Sequence, residues 1–253
     1  MARMRRLMRH IPHGPNCKLC AVPFEGPGGA VLRHVGFARF PGNPAICNSC
    51  IKGLNKMGVY GAEIEVSLLF ADIRGSTGIG EAMSPTDFRA YLDAFYKLSA
   101  KAILDNDGIV DKFVGDEVIG LFFIGISGRE HSAAAIRAAR ELLSVAGRMV
   151  ASASGPIPVG AAVHTGTAFV GTTGADGSVN DFTALGDVVN TTARLASEAA
   201  AGELLVSVEA ATAGSLNSAP LESRTLSVRG RSDTVDVVVL RSQPPPNQDL
   251  NEP

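Results

Sequence analysis

Two aspartates in the middle of the chain are the first residues whose type and setting indicate chemistry. Asp72 directly follows the apolar run 65–71 (EVSLLFA) and precedes a loop of small residues, and Asp116 follows Gly115 between two further apolar runs. Carboxylates are ligands that Mg²⁺ prefers, and two of them are the minimum for holding two such cations about 3.5–4 Å apart for an in-line phosphoryl displacement. The pattern favours metal-dependent nucleotide chemistry.

Four cysteines form a second set with metal-binding spacing. Cys17 and Cys20 make one CxxC pair, and Cys47 and Cys50 make another after 26 intervening residues. Two such pairs complete a four-thiolate site of the kind that zinc occupies. Iron is the alternative metal. Disulfides or plain thiols are the alternative without a metal, and a reducing cytoplasm disfavours stable disulfides.

The cysteines lie in a basic part of the chain. Residues 1–60 carry nine Lys and Arg and one acid, a balance of +8, whereas residues 61–253 have a balance of −10. This change of sign predicts a four-cysteine segment at 1–60 and a larger domain at 61–242, and the Pro-rich polar composition of residues 243–253 predicts a disordered tail. Metal binding is expected to supply much of the first unit's folding free energy. Without a long basic run or interleaved aromatics, nucleic acid is not an expected partner.

The overall composition bounds the class of protein. The 253 residues are 45% hydrophobic and 19% charged with a net charge of −2, which excludes low-complexity disorder. No apolar run approaches the roughly 18 residues that cross a bilayer, and the Arg-rich start precedes no segment like that of a signal peptide. We therefore expect a soluble cytoplasmic protein without a transmembrane segment.

Hydrophobic periodicity predicts the elements that position the two aspartates. The predicted strands cover residues 65–71, 109–114, 117–123, 158–165, 166–172, a stretch around Phe182, 204–208, 223–228 and 233–240. The predicted helices run from the N-cap Ser84 to about Asn106, over 131–153, and over 187–199 with Asp187 as N-cap. This order predicts an α/β fold, a sandwich with helices on one face of a mainly antiparallel sheet.

Three motifs resemble those of the class III nucleotidyl cyclases, the adenylate and guanylate cyclase catalytic domains. They are residues 70–77 (FADIRGST), 107–116 (DGIVDKFVGD) and 182–195 (FTALGDVVNTTARL). The resemblance covers about residues 62–241, so the predicted unit 61–242 would be the catalytic domain. It implies a ferredoxin-like α/β fold that works as a head-to-tail homodimer with its sites at the interface. Ser76 departs from the family, which often has Phe there.

The resemblance also assigns residues to the metals and the purine. Asp72 and Asp116 match the two metal aspartates, and Ile73 matches the residue whose carbonyl touches a metal, for two Mg²⁺ or Mn²⁺ per site. Lys112 and Thr183 match the two purine-selecting positions. An ammonium only donates hydrogen bonds, so Lys112 suits N1 of adenine and is mismatched to the N1–H of guanine. Thr183 can accept a hydrogen bond from the adenine amino group, and ATP is therefore favoured.

The remaining site residues would act on the ribose and the phosphates. Asn190 and Arg194 match the transition-state pair, and they stand four apart on one helix face. Arg231 matches a basic residue that holds the triphosphate. In the family the metal aspartates come from one protomer, and the partner supplies the residues that match Lys112, Thr183, Asn190 and Arg194.

The sequence thus predicts an adenylate cyclase that forms 3′,5′-cyclic AMP and pyrophosphate from ATP in intracellular signalling. The alternatives are a guanylate cyclase, a diguanylate cyclase suggested by the Gly115-Asp116-Glu117 hairpin, and a catalytically idle, nucleotide-binding regulatory domain. The diguanylate cyclase hairpin has a second glycine that this chain lacks.

Overall fold

The structure is a computed structural model of the 253-residue chain, and it describes residues 15–41, 43–56, 61–148, 156–175, 179–227 and 234–242. The strands are β1 (Arg39–Phe40), β2 (Asn43–Cys47), β3 (Gly61–Ile73), β4 (Ile109–Val114), β5 (Glu117–Phe123), β6 (Val159–Ala175), β7 (Val179–Leu185), β8 (Glu203–Ser207), β9 (Glu222–Ser227) and β10 (Thr234–Arg241). The helices are α1 (Gly26–Leu32), α2 (Asn48–Lys56), α3 (Ser76–Ala82), α4 (Pro85–Asp105), α5 (Ile124–Ser127), α6 (His131–Ala146), α7 (Asp187–Glu198) and α8 (Val208–Ala213). Among the described helices, none is both long and apolar enough to span a membrane.

One mixed sheet carries most of the chain. Its strand order is β4-β5-β3-β6-β8-β10-β9, with β7 also paired to β6, while β1 and β2 form a separate ribbon. Neighbouring strands are antiparallel except β6 and β8, which run parallel. The predicted α/β class with a mainly antiparallel sheet is confirmed. The predicted break between strands at 165 and 166 is wrong, because Gly166 pairs with Val66 inside the continuous strand β6.

The two faces of the sheet are both covered. Along β3, Leu69, Ala71 and Ile73 face one hydrophobic cluster, in which α4, α6 and α8 pack. The alternate residues of β3 face a second cluster, formed with α7 and the cysteine-bearing segment. We expected all the helices on one face. The structure places α7 on the other face, because that face of β3 is equally apolar.

Local signals predicted most element boundaries. Ser84 accepts a hydrogen bond from the Asp87 amide at 3.2 Å, which confirms it as the N-cap of α4. Helix α7 begins at Asp187, and its N-cap is Gly186 rather than Asp187. Helix α6 ends at Ala146, before the predicted end, and residues 149–155 lie outside the described part. The short helices α3 and α8 were not predicted, since six or seven residues give little periodicity.

A buried hydroxyl network joins β3, β6 and α6. The Ser67 hydroxyl lies 2.7 Å from Thr165 Oγ1, 2.7 Å from Ser132 Oγ and 2.9 Å from His131 Nδ1. All four side chains are buried. Because every hydroxyl has a partner, the network costs little despite its burial, and it fixes α6 against the centre of the sheet.

A cluster of ion pairs lies on β8, β9 and β10, at the edge of the sheet opposite to β4. Glu203 is buried and accepts hydrogen bonds from Arg224 Nη1 at 2.9 Å, Arg224 Nη2 at 2.7 Å and Arg241 Nη2 at 2.9 Å. Hydrogen bonding from Arg224 is the main cause that lowers the pKa of Glu203 to about 2. The charge of Glu203 on β8 therefore stabilises its side-chain links to Arg224 on β9 and to Arg241 on β10.

We expect Glu203→Gln to weaken the fold in a pH-dependent way. A lowered pKa contributes stability above about pH 4.5, and this is lost as the pH falls toward about 2. The variant should lose about 1–3 kcal/mol of unfolding free energy at neutral pH, and less in acid. Urea denaturation between neutral and acid pH measures this. Glu222→Gln, at the exposed end of the cluster, is the matched control and should lose less; equal losses would contradict the assignment.

Candidate functional site

Three carboxyl groups meet where β3 ends. Asp72 is paired with Glu117 across the β3–β5 ladder, and the Ile73 amide donates to the Asp116 carbonyl at 3.2 Å. Burial raises the pKa of Asp72, and the charge of Asp116 raises it further. The pKa of Glu117 is raised to about 7, mainly by burial and further by the negative charges of Asp72 and Asp116. Asp72 and Glu117, both with raised pKa values, lie close to the Asp116 carboxyl group, and a hard divalent cation would stabilise the charged forms of such a cluster.

The Arg74 side chain ties this cluster to α7. Its guanidinium contacts Asp72 Oδ1 and donates to the carbonyls of Ala196 at 2.8 Å and Ser197 at 2.9 Å. Gly160 leaves room for it, since a Cβ there would lie 2.7 Å from Arg74 Nε. The sequence analysis gave Arg74 no role, although it lies inside a quoted motif. It supplies the cluster with one nearby positive charge.

The β4–β5 turn that carries Asp116 is held by an aromatic contact. Gly115 has a φ of +60°, which glycine adopts without strain. The Tyr96 hydroxyl donates to the Gly115 carbonyl, and its ring packs on Phe113 with centroids 4.3 Å apart. Helix α4 thus positions the turn, and with it the Asp116 carboxyl group.

The two predicted purine-selecting residues lie on β4 and β7, strands that are not paired in the sheet but whose side chains meet, and each is beside an aspartate. Lys112 Nζ on β4 is 3.1 Å from Asp181 Oδ2 on β7. The Thr183 hydroxyl on β7 donates to Asp111 Oδ2 on β4 at 3.0 Å. The Asp111 side chain is only 4% exposed, and burial raises its pKa to about 6 against the opposing effect of Lys112. The sequence analysis missed both aspartates.

The residues matched to the transition state lie on α7. Asn190 is exposed and Arg194 is half-buried, one turn apart on the helix. Arg231 lies outside the described residues. Among the described residues, no hydrogen bond or ion pair joins the side chains of Asp72 or Asp116 to those of Lys112, Thr183, Asn190 or Arg194. Within the described part of one chain, the two aspartates matched to the metals therefore have no polar side-chain contact with the residues matched to the purine and the transition state.

The four cysteines come together in one buried cluster. The sulfurs lie within 4.8 Å of one another, with 3.9 Å between Cys17 and Cys50 and 3.7 Å between Cys20 and Cys47. A disulfide requires about 2.05 Å, whereas four ligands about 2.3 Å from a tetrahedral zinc are about 3.8 Å apart. The donor set therefore fits a metal ion, and all four cysteines are free.

The cysteine cluster also packs against the strand that carries Lys112. Lys18 Nζ donates to the Leu104 carbonyl at 2.8 Å, and Asn43 Nδ2 donates to the Val110 carbonyl at 2.9 Å. A cavity of about 850 Å³ lies at this junction, and Cys17 and Lys112 are among the residues that line it. The four-cysteine segment therefore contacts the strand that carries Lys112.

Comparison with known proteins agrees with this geometry. The family model of the adenylate and guanylate cyclase catalytic domain matches residues 60–241. An adenylate cyclase of Anabaena cylindrica is 32% identical over 163 residues, which are 63% of this chain and 32% of that protein. Adenylate cyclase 1 of Rhizobium meliloti is 33% identical over 138 residues, which are 52% of this chain and 20% of that protein. The chain thus spans a third or less of these curated relatives.

Solved structures have the same fold. An adenylyl cyclase of P. aeruginosa superposes with a TM-score of 0.63 at 26% identity, over 72% of this chain and 97% of that one. The guanylyl cyclase Cya2 superposes with a TM-score of 0.65 at 24% identity, over 74% of this chain and 97% of that one. With the family model matched over most of its length, the chain belongs to the adenylate and guanylate cyclase catalytic domain family.

Proposed function

We propose that this chain is an adenylate cyclase that converts ATP into 3′,5′-cyclic AMP and pyrophosphate in intracellular signalling. The observation that carries the proposal is that Lys112 on β4 and Thr183 on β7 each lie beside a carboxylate, where the side chains of these two strands meet. Lys112 offers a donor to N1 of adenine, and the Thr183 oxygen can accept from the adenine amino group. The named adenylate cyclases among the relatives support the same substrate.

The carboxylate cluster would hold two Mg²⁺ or Mn²⁺ ions per site. Asp72 and Asp116 supply carboxylate oxygens, Ile73 supplies its carbonyl, and the raised pKa of Asp72 supports a cation there. When bound, such ions lower the pKa of the ribose 3′-hydroxyl and neutralise the triphosphate. Arg74 keeps Asp72 in place through its contacts with α7.

The residues of α7 would act on the reacting groups. The ribose 3′-oxygen bonds to the α-phosphorus as the bond from that phosphorus to the pyrophosphate oxygen breaks. Arg194 presents a fork of N–H donors to the α-phosphate as negative charge develops there, and Asn190 orients the ribose. Arg231 binds the triphosphate. These residues position and neutralise, as is general for phosphoryl transfer.

We further propose a homodimer in which each site combines two protomers. One protomer supplies Asp72 and Asp116, and its partner supplies Lys112, Thr183, Asn190 and Arg194. The separation of these two groups within the described part of one chain supports this arrangement. A twofold dimer then has two equivalent sites.

The proposed domains are a metal-stabilised segment at 1–60, a catalytic domain at 61–242 and a tail at 243–253, which lies outside the described residues. We propose that Cys17, Cys20, Cys47 and Cys50 hold one structural Zn²⁺, because a closed four-thiolate set at tetrahedral spacing suits zinc. Thiolate ligands and an ATP substrate both suit the reducing cytoplasm.

The product test decides the activity. The purified chain, given ATP or GTP with Mg²⁺ or Mn²⁺, should form cyclic AMP from ATP, identified by mass and chromatography. Asp116→Asn is the control and should abolish the reaction by removing a metal ligand. Cyclic GMP as the main product would identify a guanylate cyclase instead, and nucleotide binding without a cyclic product would identify an idle regulatory domain.

The shared site predicts complementation between inactive variants. Asp72→Ala and Arg194→Ala should each lower turnover by at least ~10²–10³, since each removes a preorganised charge. After the two proteins exchange subunits, half of the dimers are mixed and each has one intact site, so about a quarter of wild-type activity should return. A mixture of Asp72→Ala with Asp116→Ala, which damages the same group twice, should recover nothing. Equal recovery in both mixtures, or none in the first, would refute the shared site.

The four-cysteine site predicts one zinc per chain. Elemental analysis should find one equivalent of zinc in the purified protein, and Co²⁺ in its place should give the absorption of a four-thiolate site. Cys47→Ser should lose most of the metal. Ser49→Ala, which removes the hydrogen bond from Ser49 to the Gly36 carbonyl but no sulfur, should keep it. Iron in the isolated protein, or no metal, would contradict the zinc assignment.

A further inference from the structure

Asp111 is an irregularity in the otherwise regular ladder between β4 and β5. Val110 pairs with Gly120 and Lys112 pairs with Ile119, so two residues of β4 face one step of β5 and Asp111 is the extra residue. Consecutive strand residues normally point to opposite faces, and a bulge re-aims one of them. Asp111 and Lys112 consequently both reach β7, where they contact Thr183 and Asp181.

The contact with Asp111 fixes the direction of the Thr183 hydroxyl. A hydroxyl has one hydrogen to donate and two lone pairs that can accept. Among the residues that the structure describes, the acceptors within its reach are the Asp111 carboxylate at 3.0 Å and the Ala184 carbonyl at 3.5 Å. The shorter bond to a charged acceptor is the stronger one, so the hydrogen points to Asp111. Only lone pairs then remain for another ligand.

We propose that Asp111 is a positioning residue that makes Thr183 an obligate hydrogen-bond acceptor, so that the site selects a purine with an amino group at position 6. This inference rests on the proposed adenylate cyclase function. Thr183 by itself is ambivalent, because a free hydroxyl could rotate and donate to the 6-oxo group of guanine or hypoxanthine. Its bond to Asp111 removes that option. Lys112, the donor, and Thr183, now the acceptor, together match N1 and the amino group of adenine.

The discriminating experiment compares ATP with inosine triphosphate, which carries a 6-oxo group. The measured quantity is kcat/KM for ATP divided by kcat/KM for inosine triphosphate. Leucine is similar in size to aspartate but has no hydrogen-bond acceptor. In the variant Asp111→Leu, this ratio should therefore fall about tenfold. The fall should come mainly from a better reaction with inosine triphosphate, because the freed hydroxyl can donate to it. A merely structural defect would lower both rates and leave the ratio unchanged.

A double variant separates the hydroxyl from other effects of Asp111. Thr183→Val removes the hydroxyl at constant shape, so adding Asp111→Leu in that background should leave the ratio unchanged. An effect of Asp111 through Lys112 would instead persist in that background. Asp105→Asn is the control: this exposed carboxylate lines the same cavity without contacting Thr183, and its ratio should equal that of the wild type.

The pH dependence of the wild type gives a second measurement that needs no foldable variant. Burial raises the pKa of Asp111 to about 6, so below that pH its neutral carboxyl accepts more weakly and can itself donate to the Thr183 oxygen, which frees the hydroxyl hydrogen of Thr183 for the purine. Two charged groups lie nearest to Asp111, Lys112 on its own strand and Asp181 on β7. The adjoining cavity is lined by four further charged groups, Lys18, Arg39, Asp105 and Asp107. The ATP preference should therefore decline from about pH 8 to about pH 5, and it should be flat in Thr183→Val. Triphosphate ionisation is shared by both substrates and cancels in the ratio.

The outcomes separate this inference from the proposed function. If the wild type makes no cyclic AMP, the proposed function is wrong and the inference fails with it. If the wild type makes cyclic AMP but folded Asp111→Leu keeps the full ATP preference, the inference alone is overturned. If Asp111→Leu does not fold, a wild-type preference that stays constant across the pH range overturns it.

Discussion

The register between β3 and β5 is the constraint on which the carboxylate cluster depends. That register sets Asp72 opposite Glu117, and the turn at Gly115 then brings Asp116 to the amide of Ile73. A slip of one residue would turn Asp72 to the other face of the sheet. Both faces of β3 are apolar and covered, and each fully buried Val, Leu or Phe contributes about 1.5–3 kcal/mol. Hydrophobic burial therefore holds together carboxyl groups that repel each other.

The positive charge beside the carboxylate cluster is the guanidinium of Arg74, which has fixed structural contacts. Arg74 is bound to two carbonyls at the end of α7, so its guanidinium cannot follow a substrate without losing both bonds. It offsets part of the charge of Asp72, whose pKa nonetheless stays raised because burial outweighs the attraction. The same contacts fix the end of the helix that carries Asn190 and Arg194. One arginine thus couples the position of Asp72 to that of the helix that carries Asn190 and Arg194.

Features that depend on neighbouring residues could be predicted from the sequence, and features that depend on distant pairing could not. The N-cap at Ser84 and the β4–β5 hairpin could be predicted from a few adjacent residues. The candidate site residues could be predicted from the order of the residues in the motifs. Asp111 precedes Lys112 directly, yet its partner Thr183 is 72 residues away. The bulge that turns Asp111 toward β7 leaves no local signal, because it arises from pairing with β5. Arg74 was overlooked for the same reason, since its partners lie more than 120 residues further along.

Apolar burial contributes more than ion pairing to the contact between the cysteine-bearing segment and the sheet, although the two parts of the chain have opposite net charges. The segment carries a balance of +8 against −10 for the remainder, yet in the ion pair across the junction the Lys18 nitrogen lies 3.6 Å from a carboxylate oxygen of Asp107, whose side chain is 63% exposed. Such a pair contributes at most about 1 kcal/mol. Ile46 and Ile51 are buried in the same hydrophobic cluster as Val66 and the other residues of that sheet face, and each such side chain contributes more. Among the described residues, apolar packing and hydrogen bonds to backbone carbonyls therefore hold the segment against β4 and the end of α4.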